Sequence, residues 1–365
     1  MSRYTYLASN LLTGAIRDEI PFSSVAFSDE CSKASGFDGT VTLETPTLTA
    51  LTGQTVPNRV TLSTLQPAST GLWVLRDGVP LWGGILWGFT ADLSRGTLRV
   101  SGQDFFSYYS RRRIGQTMSW TSKDQFTIFE DIIDYCQAVG GGDIGTVVSY
   151  TALSGVERDR TYLANEQHNV AEALTQLAQV DNGFDFSVDY TGSQASGLGH
   201  TLTLSYPRRG RNTGVIFDTA KNVQLLNWKQ DGLRIANSLT AVGSGDADNQ
   251  LLAPTSDPGL LVSYPLLEDV TVYSDVTVMS TLIDHAAQDL RARRTSVEEI
   301  EIEVRVDDLD GALGTIVTGD TVRMRASHGF IQLDQLMRVM SRRVSIDENG
   351  HETMSCTLAG LEATT

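Results

Sequence analysis

Cysteine is scarce in this chain: Cys31, Cys136 and Cys356 are the only three among 365 residues, far apart and without a CxxC pair. That spacing excludes a disulfide framework and the usual zinc or iron–sulfur ligand sets, and it suits a reducing compartment. Cys136 falls in a helical apolar pattern and reads as a small core hydrophobe. Histidine is also scarce, at positions 168, 200, 285, 328 and 351, with neither HExxH nor HxH among them. Helical neighbours face different directions, so Asp284 and His285 read as surface or packing residues rather than a pair. His351 falls in a turn, Glu348-Asn349-Gly350-His351. No run of 18 apolar residues occurs, and even Gly71 to Gly88 is broken by Arg76, Asp77 and Pro80. A membrane-spanning helix is therefore not expected. The start, Met1-Ser2-Arg3-Tyr4-Thr5, has no apolar h-region, so no secretory signal is expected either.

Local catalytic motifs are missing as well. No GxSxG, P-loop or GxGxxG is present, and Gly140-Gly141-Gly142-Asp143 lacks a lysine and a preceding strand, so it reads as a linker. The acidic turns at Asp310-Gly311 and Asp246 to Asp248 do not have the ligand spacing of an EF-hand. With 44 Asp and Glu residues, a carboxylate pair suited to glycoside hydrolysis could assemble only in three dimensions. These absences point to a protein that is not an enzyme, with no catalytic, cofactor-binding or metal residue to name. The net charge of -16 repels a phosphate backbone, so sequence-specific or non-specific nucleic-acid binding is not expected. A duplex passing such a surface would slide along it.

What is present favours strands. Glycine is frequent at 33 residues, proline is low at 9, and 41% of residues are hydrophobic. Short strands joined by turns fit that mixture, and the length calls for two to four domains. Residues 3 to about 110 read as strands alone: Tyr4 to Leu11, Ser23 to Phe27, Thr40 to Leu43, Leu72 to Leu75, Leu81 to Trp87 and Thr97 to Gly102. Asp77-Gly78 marks a hairpin, and repeated hairpins favour a barrel or sandwich. From 110 to about 190 the period changes. Ser122 and Gln125 fit a capping box ahead of a helical face made by Phe126, Phe129, Ile132, Ile133 and Cys136. Asn169 caps a second helix carrying Val170, Ala173, Leu174, Leu177 and Val180, ended by Asp181-Asn182-Gly183. Strands at Phe184 to Val188 and Thr201 to Tyr206 complete a small α+β domain. Further strands follow at Asn222 to Trp228 and Ile235 to Val242. Gly243 to Pro258 reads as a mobile surface loop, and a third helix is expected between about Val276 and Arg294. Strands at Ile300 to Val306, Thr321 to Arg325, Leu336 to Met340 and Met354 to Leu358 end the fold.

Two groups stand out as core or contact residues. Trp73 and Trp82 flank the Asp77-Gly78 turn within reach of a cross-strand pair, and Trp87 follows. Three core tryptophans are the simpler reading, and an exposed glycan or protein platform is the alternative. Arg111, Arg112 and Arg113 follow Tyr108-Tyr109, where they are either a solvated junction or a salt-bridged contact with a neighbouring subunit.

The segment Trp73 to Tyr109 joins the Arg76-Asp77-Gly78 hairpin, Trp82-Gly83-Gly84-Ile85-Leu86-Trp87, the return strand Thr97 to Gly102, and Asp104-Phe105-Phe106 with Tyr108-Tyr109. It resembles the first domain of baseplate-hub (minor tail) proteins of siphophages, especially those infecting actinobacteria. The strand Asn237 to Gly243, the helix 276–294 and Gly319-Asp320-Thr321-Val322 before a final meander keep the order of such hubs. The resemblance implies a mainly β fold with α+β insertions, in which two β-barrel-like domains accompany smaller α+β domains. Those barrels would be 1–110 and 210–260 with 295–365, leaving 111–209 as an α+β domain and 261–294 as a helical insertion. It further implies a homotrimer at the virion tail tip that closes the tube and forms a channel for the genome. Its partners would be the distal tail ring protein, the tape measure protein and other tail-tip proteins, and no cofactor is implied. The alternatives are a receptor- or glycan-binding tail protein and a cell-wall polysaccharide hydrolase.

Overall fold

The computed structural model describes residues 3–43, 64–180, 182–246, 249–274, 276–294, 297–305 and 316–361, and the backbone of 47–49 and 55–57. Asp181, Val306, Asp310-Gly311 and the end of Asp246–Asp248 lie outside the described residues. The chain divides into two compact units. The first holds Met1–Thr213, Val304–Asp320 and Met340–Cys356, and the second holds Gly214–Glu303, Thr321–Val339 and Thr357–Thr365.

The first unit opens with β1 (Tyr4–Asn10), β2 (Ile16–Glu19), β3 (Ser24–Glu30), β4 (Gly36–Thr42), β5 (Thr47–Thr49) and β6 (Thr55–Pro57). Next come β7 (Thr70–Arg76), β8 (Val79–Asp92) and β9 (Thr97–Asp104). Their alternation produces one wet and one dry face. In β9, Leu98 and Val100 are buried while Arg99 and Ser101 are exposed. Pairing is antiparallel along the order β3-β4-β9-β8-β7-β1-β2. The β7–β8 turn has the positive φ values its sequence calls for, 52° at Asp77 and 83° at Gly78. The residues Ser341–Ile346 pair with β3 at the other end of this order. The path is open: the pairings among the described residues do not close it into a barrel.

A 3-10 turn, Phe105–Arg111, leads into the α+β part of the unit. It contains β10 (Met118–Asp124), α1 (Gln125–Ala138), β11 (Thr146–Ser149), β12 (Glu157–Tyr162), α2 (Val170–Gln179), β13 (Asp185–Ser193) and β14 (Gly197–Ser205). The apolar face Phe126, Phe129, Ile132, Ile133 and Cys136 is buried, as its spacing requires. Together with Leu174, Leu177, Phe184 and Phe186 it forms one core. The start of α1 differs from the capping-box expectation. Ser122 has φ 46° and donates its amide to Asp159, while Asp124 caps the helix by accepting from the Phe126 N–H at 2.9 Å. Asn169 caps α2 as its sequence predicts, accepting from the Glu172 N–H at 3.2 Å.

The second unit holds most of β15 (Asn212–Asp218), then β16 (Val223–Asp231), β17 (Ser238–Val242), β18 (Leu252–Ser256), β19 (Glu268–Val272) and α3 (Met279–Ala292). It also contains most of β20 (Val297–Val304), β21 (Thr321–His328), the start of β22 (Ile331–Ile346) and the end of β23 (Glu352–Gly360). The segment read as a mobile loop contains β18, which pairs antiparallel with β17, while β19 pairs with β17 in parallel. Leu239, Ala241 and Ala253 on the inner side of this sheet pack on Leu282, Ala286 and Leu290 of α3. No described helix is long and apolar enough to cross a membrane.

Candidate functional site

The Trp-Gly-Gly hairpin is built from register. Trp73 lies opposite Gly83, and Trp82 lies opposite Val74, so the two rings leave opposite faces of the sheet and do not pair with each other. Each ring lies over a glycine. A Cβ on Gly83 would stand 2.6 Å from Trp73 Cε3, and one on Gly84 would stand 2.6 Å from Trp82 Cη2 and 2.2 Å from the Gln103 carbonyl. Trp73 donates to Ser9 Oγ at 3.1 Å, and Trp82 stacks on Phe37 with centroids 5.0 Å apart. Both are buried. Trp87 is half-buried and is the extra residue of a bulge between Leu86 and Gly88. Its indole donates to Ser107 Oγ at 2.8 Å.

The acidic aromatic turn that follows is a joint. Asp104, only 1% exposed, accepts from the Ser35 N–H at 2.7 Å and the Phe106 N–H at 3.0 Å. It thereby ties the β3–β4 turn to the start of the 3-10 turn. Burial pushes its carboxyl up to about 7, against the pull of these hydrogen bonds. Phe105 stacks on His200 at 3.9 Å, and His200 lies 2.8 Å from Thr146 Oγ1. Burial holds that imidazole down at about 3, so it is neutral and packs as an aromatic ring. Cys136 and Cys356 are buried thiols pushed up to about 11 and about 12, which makes them inert.

The arginine run divides by role. Arg112 is half-buried, donates to Tyr108 Oη at 2.6 Å and lies over that ring. Arg111 and Arg113 are exposed, and Arg113 donates to the carbonyls of Ser110 and Arg112. None of the three meets a carboxylate among the described residues. Nearby, an open groove of about 700 Å³ runs between β10 and α1, lined by Met118, Trp120, Asp131, Asp134 and Tyr135. Trp120 donates to Asp131 at 2.7 Å. Asp131 and Asp134 come from one helix and do not face each other across a cleft. No cluster of three metal-binding side chains occurs among the described residues.

The second unit carries a surface that the sequence reading did not pick out. On the outer side of the β17 sheet, Val242 has Leu252 and Val272 as its cross-strand neighbours, and Val270 follows two residues before Val272. Leu252, Val270 and Val272 are 52%, 59% and 65% exposed. Alternating valines in Glu268–Val272 are the available signal. Read alone they suggest an inward apolar face, because nothing local says which side α3 covers.

No protein-family model matches this chain, and no curated protein matches it. Solved structures do. The 43 kDa tail protein of prophage MuSo2 from Shewanella oneidensis aligns with a TM-score of 0.65 at 14% identity, covering 99% of each chain. The tail protein from Neisseria meningitidis MC58 gives 0.61 at 14% identity, over 98% of this chain and 97% of that one. The E. coli c3393 protein gives 0.50 at 9% identity, over 98% of this chain and 74% of that one. It is described as a type VI secretion component with structural similarity to T4 tail proteins gp27 and gp5. At these identities the likeness defines the fold. This chain has a phage-tail-protein fold, mainly β, with large mixed sheets and smaller α+β elements.

Proposed function

We propose that the chain is a structural tail-tip hub that acts through shape and protein contacts. It closes the tail tube, links the distal tail ring to the tip components and surrounds a channel for the genome as a homotrimer. The observation that carries this reading is a tail-protein fold matched over 98–99% of the chain, including the protein described as similar to gp27 and gp5. The narrower kinship with hubs of siphophages infecting actinobacteria is supported by the motif order from Trp73 to Tyr109. The four-part division at 110, 209, 260 and 294, with two barrel-like domains, belongs to the same proposal, as do the tape measure and distal ring as partners. A closed ring of identical subunits needs two complementary surfaces on each chain, and rigid β-sheets supply them.

The glycan-platform alternative called for Trp73, Trp82 and Trp87 exposed in a groove. Two are buried and the third is half-buried with its indole engaged, so these residues lend it no support. Electron microscopy of purified virions tests the hub. Threefold density of this chain on the tail axis at the end of the tube is expected. Density confined to peripheral fibres would sink the proposal.

A further inference from the structure

We infer that copies of this chain join head to tail, the outer face of the β17 sheet of one copy docking on the Arg111–Arg113 corner of the next. This inference rests on the hub reading and names the two surfaces that reading requires.

The first surface is apolar with an acidic end. Leu252, Val270 and Val272 stand on one side of the sheet whose other side is already filled by α3. Side chains this apolar and this exposed, flanking Val242 on both neighbouring strands, mark a contact surface. Glu268 lies on the same side as Val270 and Val272, because positions two apart share a face. It is exposed and has no cationic partner among the described residues. Two arginines just after α3 are engaged elsewhere. Arg293 binds Asp269 and Thr271, and Arg294 binds Asp257 at 2.7 Å.

The second surface has the opposite sign. Arg111 and Arg113 are exposed cations without a carboxylate among the described residues, in a chain where acids outnumber bases 44 to 28. Exposed guanidinium groups without a carboxylate of their own can receive one from a second chain. Arg112, held on Tyr108, fixes the base of the corner, so the guanidinium groups on either side are presented from a rigid backbone. The occupant of the apolar face is thus a second copy, argued from charge complementarity: an acid without a base faces bases without an acid. Because the two patches differ, the contact is heterologous, and heterologous contacts are the kind that close rings.

Charge reversal tests the pairing, read by mass photometry and sedimentation across a concentration series. R111E/R113E and E268R are each expected to raise the concentration needed for assembly by about tenfold or more. Combining them in one chain restores assembly, which loss of folding could not do. V270E/V272E breaks assembly as well, with circular dichroism unchanged. A wild-type trimer that persists undiminished in R111E/R113E and in V270E/V272E overturns this inference and leaves the hub reading intact. A triple reversal that stays as weak as its parents overturns the pairing of Glu268 with the arginines. A wild-type chain that remains monomeric at every concentration and shows no threefold density in virions overturns both.

Discussion

At Gly84 the absence of one methyl group decides whether two strands can sit side by side. A Cβ there would lie 2.2 Å from the Gln103 carbonyl and 2.7 Å from Asp104 Cα, and both neighbours are backbone that cannot swing aside. Gly88, four residues on, leaves 3.5 Å to Ser101 Oγ. Gly84→Ala is therefore expected to cost roughly 1–3 kcal/mol in urea unfolding, with Gly88→Ala close to wild type. Asp104, the cross-strand partner of Gly84, titrates in an unusual range. Its carboxyl is pushed up to about 7 in the fold against roughly 4 in an unfolded chain. The folded state holds the proton more tightly, so this group's contribution to stability is full below about pH 4. It is lost as pH rises through about 7. His200, held at about 3, runs in the opposite sense, being lost as pH falls below its unfolded value. Subtracting the two profiles isolates the carboxyl: the stability gap between Asp104→Asn and wild type should change between pH 5 and pH 8. A gap that stays constant across that range would refute the assignment. The aromatic residues around this joint were legible as apolar, but the face each takes was not. Trp73 and Trp82 are nine positions apart in sequence, and only the register sets them on opposite sides.

Between elements, the caps show how local rules compete. Asp124 accepts from the Phe126 N–H, the Gly155 N–H at 2.8 Å and Ser154 Oγ at 3.0 Å, so it caps α1 and anchors the turn before β12 together. Asn169 caps α2 through the Glu172 N–H and donates its side-chain amide to the Ser110 carbonyl. Asn169→Ala should cost about 1 kcal/mol, the usual worth of a cap, and Asp124→Ala more, because three donors lose their acceptor at once. Thermal melts of the two variants check the order, and equal losses would show that the turn contributes nothing. The helices themselves were readable because their periodicity is long and carries a cap at the start. The Ser122 box misled by two residues because Ser122 is spent on a left-handed turn whose amide bonds to Asp159, a partner 37 residues away. β18 was missed for a related reason. Its residues, Leu252-Ala253-Pro254-Thr255-Ser256, follow a stretch rich in Gly, Asp and Asn, and the strand exists because β17 offers an edge. Strand pairing of this kind is tertiary information, and a five-residue window does not contain it.

For the whole molecule the dominant quantity is the net charge of -16 on each copy. Bringing copies together sets these charges against one another over long distances, whereas apolar contact and ion pairing act at short range. Salt separates the two. At 10 mM ionic strength the screening length is about 30 Å, comparable to a domain, and copies feel each other's full negative field. At 0.15 M it is about 8 Å, which removes that repulsion while leaving pairs in contact. Association of the purified chain should therefore strengthen from 10 mM to 150 mM salt. It should then hold or weaken slightly toward 1 M, where the screening length of about 3 Å begins to reach the pairs themselves. Apolar burial at the β17 sheet face is insensitive to that last step, so assembly should persist there. Mass photometry across the three ionic strengths gives the curve. A monotonic loss of assembly with salt would mean that attraction between charges, and not apolar contact opposed by net repulsion, holds the copies together.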